Sequence, residues 1–175
     1  GSSAEYGITK KKYVTERQKL NPISNYGYSK SLQSNYVKEV SRFKENKILL
    51  LRIFNLSGDI DNKNNIIGKI NKFISKYKNI NKKKTLTLGN LSAIRDFIDI
   101  TKAAKIIVKL IKKNKYGILN LGSGKPTLVR KMIKKLFKHY KNLNFVELIN
   151  KIDKNKLKYS CADLNKLNKV LNEKN

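Results

Sequence analysis

Tyr26 and Lys30 stand four positions apart in the stretch Asn21 to Lys30, NPISNYGYSK. On a helix, residues i and i+4 lie one above the other, so a phenol and an ammonium would point the same way. An ammonium beside a phenol favours the phenolate, and the hydroxyl can then exchange a proton with a carbonyl or alcohol oxygen near neutral pH. The chain holds a second pair at this spacing, Tyr6 and Lys10. Context separates the two. Asn21, Pro22 and Ser24 form a turn-type cluster that can start a helix, and Leu32, Tyr36, Val37, Val40 and Phe43 continue with helical period. Tyr6 is followed by Gly7 and a lysine run without that period. The chemistry is therefore expected at Tyr26 and Lys30.

Other routes to catalysis have little material. The single histidine, His139, sits late in a lysine-rich helix-like stretch, which gives no support to a Ser/His/Asp triad or a multi-histidine metal site. The single cysteine, Cys161, excludes an internal disulfide and a cysteine-rich metal site, and reads as a small buried apolar residue. No metal is expected. There is no run of about 18 apolar residues and no signal-like start, so the chain reads as soluble and cytoplasmic, with no membrane partner.

The net charge of +28 invites a different class of function, a non-catalytic basic fragment that binds polyanions. Against it, the lysines are spread over nearly every segment beside many asparagines and isoleucines. The five arginines (Arg17, Arg42, Arg52, Arg95 and Arg130) form no cluster in sequence. Readers of bases and phosphates favour arginine forks and a localised patch. The charge is read as solvated lysine faces, and nucleic acid is not the expected partner.

The elements that must position Tyr26 follow from pattern. A helix is expected from Tyr26 to near Asn46. Lys47 to Asn55, KILLLRIFN, is a nearly continuous apolar run of strand length whose two faces must both be covered, as in a parallel sheet. A helix from Asn65 to Tyr77 and a short strand from Thr85 to Leu88 come next. Phe97 to Ile100 is a short apolar piece, and Thr101 is expected to cap a helix running to about Asn114. Gly117 to Leu121 reads as another buried strand, and Pro126 is expected to begin a helix to about Tyr140. A strand near Asn144 to Leu148 and a helix from Asp163 to Leu171 complete an α/β alternation. The sequence GSGKPT at Gly122 to Thr127 fails both phosphate-loop patterns, because Leu119 and Thr127 stand where glycines are needed. It reads as a tight strand-to-helix turn.

Five segments, GSSAEYG, NPISNYGYSK, LRIFNLSG, GNLSAIRDFIDI and LNLGSGKPTLVRKMI, occur in the order found in one family. In them the chain resembles the extended short-chain dehydrogenase/reductases, the NAD(P)-dependent nucleotide-sugar epimerases, dehydratases and reductases. GSSAEYG with GNLSAIRDF is most similar to the GDP-4-keto-6-deoxy-D-mannose reductases, with the GDP-mannose 4,6-dehydratases as nearest rival. The resemblance implies the C-terminal part of a Rossmann-type parallel sheet in residues 1–56 and, in 57–175, mainly a smaller α/β substrate domain. It implies an NAD(P) cofactor, a GDP-sugar substrate and, at full length, a homodimer.

By the same resemblance Tyr26 is the catalytic tyrosine, and Lys30 is the lysine that activates it and holds the nicotinamide ribose, so both border the cofactor. Ser3 matches the serine or threonine that bonds the substrate oxygen, with Ser2 as the fallback. Glu5 falls where dehydratases keep an acidic residue and is expected at the substrate. Asn55 and Arg95 match contacts to the nucleotide diphosphate, and Lys69 falls where some members place a basic residue near it. Plainer readings stand beside these: Arg95 with Asp96 as a surface ion pair, and Asn55 as a strand-end cap.

The sequence departs from the family in several places. It contains no β-α-β unit with a glycine-rich turn for the cofactor pyrophosphate, about the first hundred residues of such an enzyme. Gly58-Asp59 replaces the usual Gly-Pro, and Asp153 and Lys154 stand near a usual Arg-Pro. The chain alone is therefore expected to be inactive, as a fragment of a longer product or a degenerate frame.

Overall fold

The run KILLLRIFN is extended, as its apolar composition requires, but it serves two sheets. This is seen in the computed structural model, which describes residues 1–9, 11–43, 47–58, 66–148 and 158–173. Expectations placed on Lys10, Asn46, Asp59, Asn65, Asp153 and Lys154 lie outside the described residues. After a 3-10 turn at Ser3–Glu5 come α1 (Asn25–Phe43), β1 (Leu49–Ile53), β2 (Asn55–Ser57), α2 (Ile66–Tyr77), β3 (Lys84–Leu88) and β4 (Ile94–Asp99). Then follow α3 (Ile100–Lys112), β5 (Gly117–Leu121), β6 (Pro126–Leu128), α4 (Val129–Phe137), β7 (Leu143–Glu147), β8 (Tyr159–Ser160) and α5 (Asn165–Asn172).

β1 pairs in parallel with β5, Leu49 opposite Gly117 through Ile53 opposite Leu121. At Phe54 the chain leaves that sheet, and β2 pairs in parallel with β4. β4 also pairs with β6, antiparallel, and with β8. β3 and β7 form a third, parallel pair. Parallel partners need long crossovers, and helices fill them.

Among the described residues three apolar clusters result, the smallest around Tyr6, Val14, Phe54 and Ala162; the two larger ones are built on the sheets. One gathers Ile98, Ala103, Leu110, Leu119, Leu121 and Leu167 around β1, β5, α3 and α5. The other gathers Ile70, Leu88, Ile133, Phe137 and Leu143 from α2, β3, α4 and β7, with Leu91 from the connection between β3 and β4. A single boundary at residue 56 does not separate them. β5, α3 and α5 lie beyond that position yet belong with β1, because β1 needs β5 as its ladder partner.

Local expectations are refined in the same way. α3 is capped by Asp99, not Thr101: the Asp99 carboxylate accepts from the Lys102 N–H at 2.9 Å, which places Thr101 inside the helix. Pro126 opens a strand rather than a helix. α4 starts three residues later, where the Val129 and Arg130 amides donate to the Ala93 and Leu91 carbonyls. Those bonds satisfy first-turn donors that a side-chain cap would otherwise serve.

α1 carries its apolar stripe on the side away from the protein. Tyr28, Leu32, Tyr36 and Phe43 are exposed, whereas Gly27, Ser31 and Ser34 are buried. Small residues let the helix lie close to its support and leave the large side chains facing out.

Arg130 on α4 grips Glu147 on β7 through two nitrogens, at 2.7 and 2.9 Å, and the Leu91 amide adds a third bond at 2.7 Å. The Arg130 bonds first and the Leu91 amide second hold the Glu147 carboxyl below its ordinary 4.5. A depressed folded value stabilises the protein above the unfolded value, and that contribution is lost as pH falls through the folded one. Glu147→Gln should therefore cost stability near neutrality and flatten the acid limb of a urea-midpoint profile. An acid limb as steep as the parent's would remove this assignment.

Candidate active site

Ser24 starts α1, its Oγ accepting from the Gly27 N–H at 3.1 Å and its carbonyl from Tyr28 N–H at 2.8 Å. That cap fixes where the first turn begins, and so sets Tyr26 at the helix entrance, 59% exposed. One turn on, half-buried Lys30 places its Nζ 5.8 Å from the centre of the Tyr26 ring and donates to Gln33 Oε1 at 3.0 Å. The phenol and the ammonium share a face, as their spacing requires.

The turn carrying Ser3 packs against this helix end. A Cβ on Gly27 would sit 2.5 Å from the Ala4 carbonyl oxygen, so only glycine lets the two backbones approach. Ala4 adjoins Ser3 and Gly27 adjoins Tyr26, which brings the Ser3 and Tyr26 segments together. Ser2 has a different task. Its Oγ accepts from the Ala4 amide at 3.2 Å and it bridges to Ile53, which ties the turn to β1.

Glu5, expected at the substrate, closes the 3-10 turn. Its side chain is fully buried and both oxygens are engaged inside the chain, Oε1 by the Ser2 N–H at 2.6 Å and Oε2 by Arg52 Nε at 3.2 Å. A carboxylate so enclosed anchors the turn. The sequence carried one sign of this. An arginine inside an apolar run such as KILLLRIFN must find an internal acceptor, and Glu5 is that acceptor.

Of the remaining expected residues, Asn55 and Arg95 lie on β2 and β4, and Lys69 lies on α2 beside β3. Asn55 is half-buried and donates from Nδ2 to the Asp96 carbonyl at 3.0 Å, so its amide steadies the neighbouring strand. Lys69, exposed on α2, directs its Nζ to the Thr87 carbonyl at a long 3.5 Å. Arg95 is half-buried, one nitrogen donating to the Ile94 carbonyl at 2.9 Å, and burial lowers its pKa. It is not paired on the surface with Asp96, which is fully buried.

Asp96 is the other residue that sequence reasoning passed over. Oδ1 accepts from the Ser123 amide at 2.7 Å and hydroxyl at 2.6 Å, and Oδ2 from the Gly124 and Ala162 amides at 2.9 and 3.1 Å. A Cβ on Gly122 would lie 2.6 Å from Oδ2. The GSG turn thus already holds an anion, one belonging to the chain. Its amides are committed to Asp96, which gives the physical reason why it is no phosphate loop.

Cys161 lies 3.7 Å from Asp96 Oδ2. Burial first, and the Asp96 charge second, push its thiol up to about 12. The native chain should resist iodoacetamide at pH 8 and label only on unfolding, since the thiolate is the nucleophile. Rapid labelling of the native chain would contradict this. Among the described residues no cluster of three or more His, Cys, Asp or Glu could hold a metal ion, and no helix is long and apolar enough to cross a membrane. A groove of about 1380 Å³ runs between α2 and α4 over Ile67, Ile74, Phe97, Met132 and Leu136, and none of the expected site residues lines it.

Residues 1–172 match the family model described as GDP-mannose 4,6 dehydratase. The fold matches RMD from Pseudomonas aeruginosa, solved with NADPH, with a TM-score of 0.85 at 18% identity over 98% of this chain and 58% of that one. It also matches the UDP-N-acetylglucosamine 4-epimerase of Methanobrevibacter ruminantium, with a TM-score of 0.79 at 23% identity over 100% of this chain and 56% of that one. The UDP-glucuronic acid 4-epimerase of Bacillus cereus, solved with UDP-glucuronic acid and NAD, gives a TM-score of 0.80 at 23% identity, over 98% of this chain and 53% of that one. The chain therefore spans little more than half the length of these proteins.

Proposed function

The chain belongs to the GDP-mannose 4,6 dehydratase family, and from that membership we propose that it supplies the proton-transfer site and the sugar-nucleotide contacts of an NAD(P)-dependent enzyme acting on a GDP-sugar. The observation that carries the reading is the pairing of Tyr26 and Lys30 at the entrance of α1, with the Ser3 turn packed beside it. The favoured reaction is reduction of the C4 ketone of a GDP-4-keto-6-deoxy sugar. When bound, a reduced nicotinamide supplies hydride to that carbon. The Tyr26 hydroxyl donates its proton to the ketone oxygen, the Lys30 ammonium stabilises the phenolate left behind, and Ser3 bonds the same oxygen.

The residues present fit part of such a cofactor. An exposed phenol and a half-buried ammonium at one helix end suit a ribose diol beside a nicotinamide. The GSG turn does not suit its pyrophosphate, because Asp96 takes the turn amides. Arg95 and Lys69 are the proposed contacts to the sugar-nucleotide diphosphate, Arg95 through its planar fork, with Asn55 beside it.

Enclosure of Glu5 favours reduction over dehydration. An elimination would need an acidic group in contact with the sugar, and this carboxylate is bound to Arg52. The two reactions are separable in protein expressed from the whole reading frame. A reductase consumes added NAD(P)H with the keto-sugar, whereas a dehydratase converts GDP-mannose with no net change in cofactor. Conversion of GDP-mannose without NAD(P)H consumption would overturn the reductase reading.

A second copy of the chain is the proposed cover for the α1 stripe, since four large side chains spaced along one face of a helix suit a helix of the same kind. Replacing Leu32 and Tyr36 by glutamate should shift the mass found by light scattering to that of one chain. An unchanged dimer would exclude this face.

A further inference from the structure

We propose that Arg52 is a positioning residue for the Ser3–Tyr26 site, acting through Glu5; the inference rests on the proposed function above. Arg52 is 1% exposed, next to last in β1. Its Nε bonds Glu5 Oε2 at 3.2 Å, and one terminal nitrogen bonds Tyr6 Oη at 3.1 Å and the Glu16 carbonyl at 3.2 Å. The guanidinium carbon lies 4.8 Å from the centre of the Tyr6 ring. Beside it in register is Asn120, which accepts from Tyr6 Oη at 2.6 Å and donates to the Val14 carbonyl at 2.7 Å. One buried fork therefore gathers residues 5, 6 and 16 onto the rigid β1–β5 pair.

From Glu5 the constraint passes to the site. Glu5 Oε1 takes the Ser2 amide while the Glu5 carbonyl takes the Asn21 amide at 3.2 Å, just before α1. The same turn presents the Ala4 carbonyl to Gly27. Ser3 is thus located relative to β1 by the carboxylate and relative to Tyr26 by backbone contact. Nothing in the chemistry of stability demands an ion pair for this. A buried pair can be replaced by uncharged groups of similar volume at little cost, whereas losing one partner strands a charge. What uncharged groups would lack is the directional fork that sets the turn.

The test compares the double variant Glu5→Gln/Arg52→Met with Arg52→Lys and the parent, in protein expressed from the whole reading frame. Melting temperature, turnover and KM for the sugar nucleotide are measured for each. The double variant should melt within a few degrees of the parent. Its turnover should fall about 10- to 100-fold, with KM changed less than about threefold, because misplacing a reacting group costs rate more than binding. Arg52→Lys, which keeps the charge but not the fork, should fail to restore turnover. Parent-like turnover in the folded double variant would overturn the proposal. So would a double variant that melts below the assay temperature, since the pair would then hold the fold rather than the turn. Tyr26→Phe run alongside separates the two levels of inference. If it keeps parent turnover, the site itself is wrong and this proposal falls with it. If it is inactive while the double variant is not, the positioning role alone falls.

Discussion

Tyr26→Phe should lower turnover about 10²- to 10⁴-fold in protein expressed from the whole reading frame, the range associated with loss of a positioned acid or base. That corresponds to about 3 to 5 kcal/mol of transition-state stabilisation. The change deletes one oxygen from an exposed ring at the start of α1, where the helix is fixed by Ser24 and by the contact at Gly27. Neither anchor involves the hydroxyl. Sugar-nucleotide affinity should therefore be nearly unchanged, because the proposed diphosphate contacts, Arg95 and Lys69, lie on other elements. Equal losses in kcat and kcat/KM would mark an interaction made only in the transition state. Turnover within threefold of the parent would remove Tyr26 as the proton donor.

The largest loss of stability is expected at Asp96. Asp96→Ala removes the acceptor of four hydrogen bonds, from the Ser123 amide and hydroxyl and the Gly124 and Ala162 amides, and of a weaker fifth from the Cys161 thiol. Stranding a buried donor costs about 1 to 3 kcal/mol, and hydrogen bonds to a charged group lie at the strong end. Water can reach the partly exposed Ser123 and Gly124 amides, so the sum does not accumulate fully. A net loss of about 3 to 5 kcal/mol follows. Asp96→Asn should cost less, because its carbonyl still accepts, but its amino group would face other donors. Urea denaturation of the chain gives the measurement. A loss under about 1 kcal/mol for Asp96→Ala would show that the carboxylate is not the hub of this turn.

Sequence reached the strand at Lys47–Asn55 because a run with no polar face leaves few other folds for it. It did not reach the switch at Phe54, where the chain passes from the β5 ladder to the β4 ladder. Periodicity reports which side chains are covered, not which strand covers them. Pro126 gave a helix start by local rule, yet pairing with β4 claimed Pro126–Leu128 first, an override of propensity by tertiary contacts. The apolar period of α1 was legible while its direction was not, because burial of Gly27, Ser31 and Ser34 depends on close packing rather than on hydrophobicity.

The site divides along the same line. The shared face of Tyr26 and Lys30 follows from helical spacing alone. The roles of Glu5 and Asp96 do not, because their partners are remote: Arg52 lies 47 positions from Glu5, and Ala162 lies 66 from Asp96. Only the oddity of a charge within an apolar run could have pointed to Arg52. Asp96, next to an arginine, looked like half of an ordinary surface pair.

The two larger apolar clusters are threaded rather than appended. The chain crosses between them after Ser57, at Phe97–Ile98, after Leu121 and after Glu147. A lobe inserted at one point could be exchanged whole by recombination, carrying a new substrate preference with it. Here each lobe is assembled from separate stretches of sequence, and a transplant would have to match every junction at once. On the function proposed above, preference for a new sugar nucleotide would arise by substitution in place, residue by residue, with both cores kept intact at each step. Variation in such a lineage is expected to gather on surface positions of β3, β4 and α2, while Asp96, which ties the β4 crossing to the turn after Leu121, stays fixed.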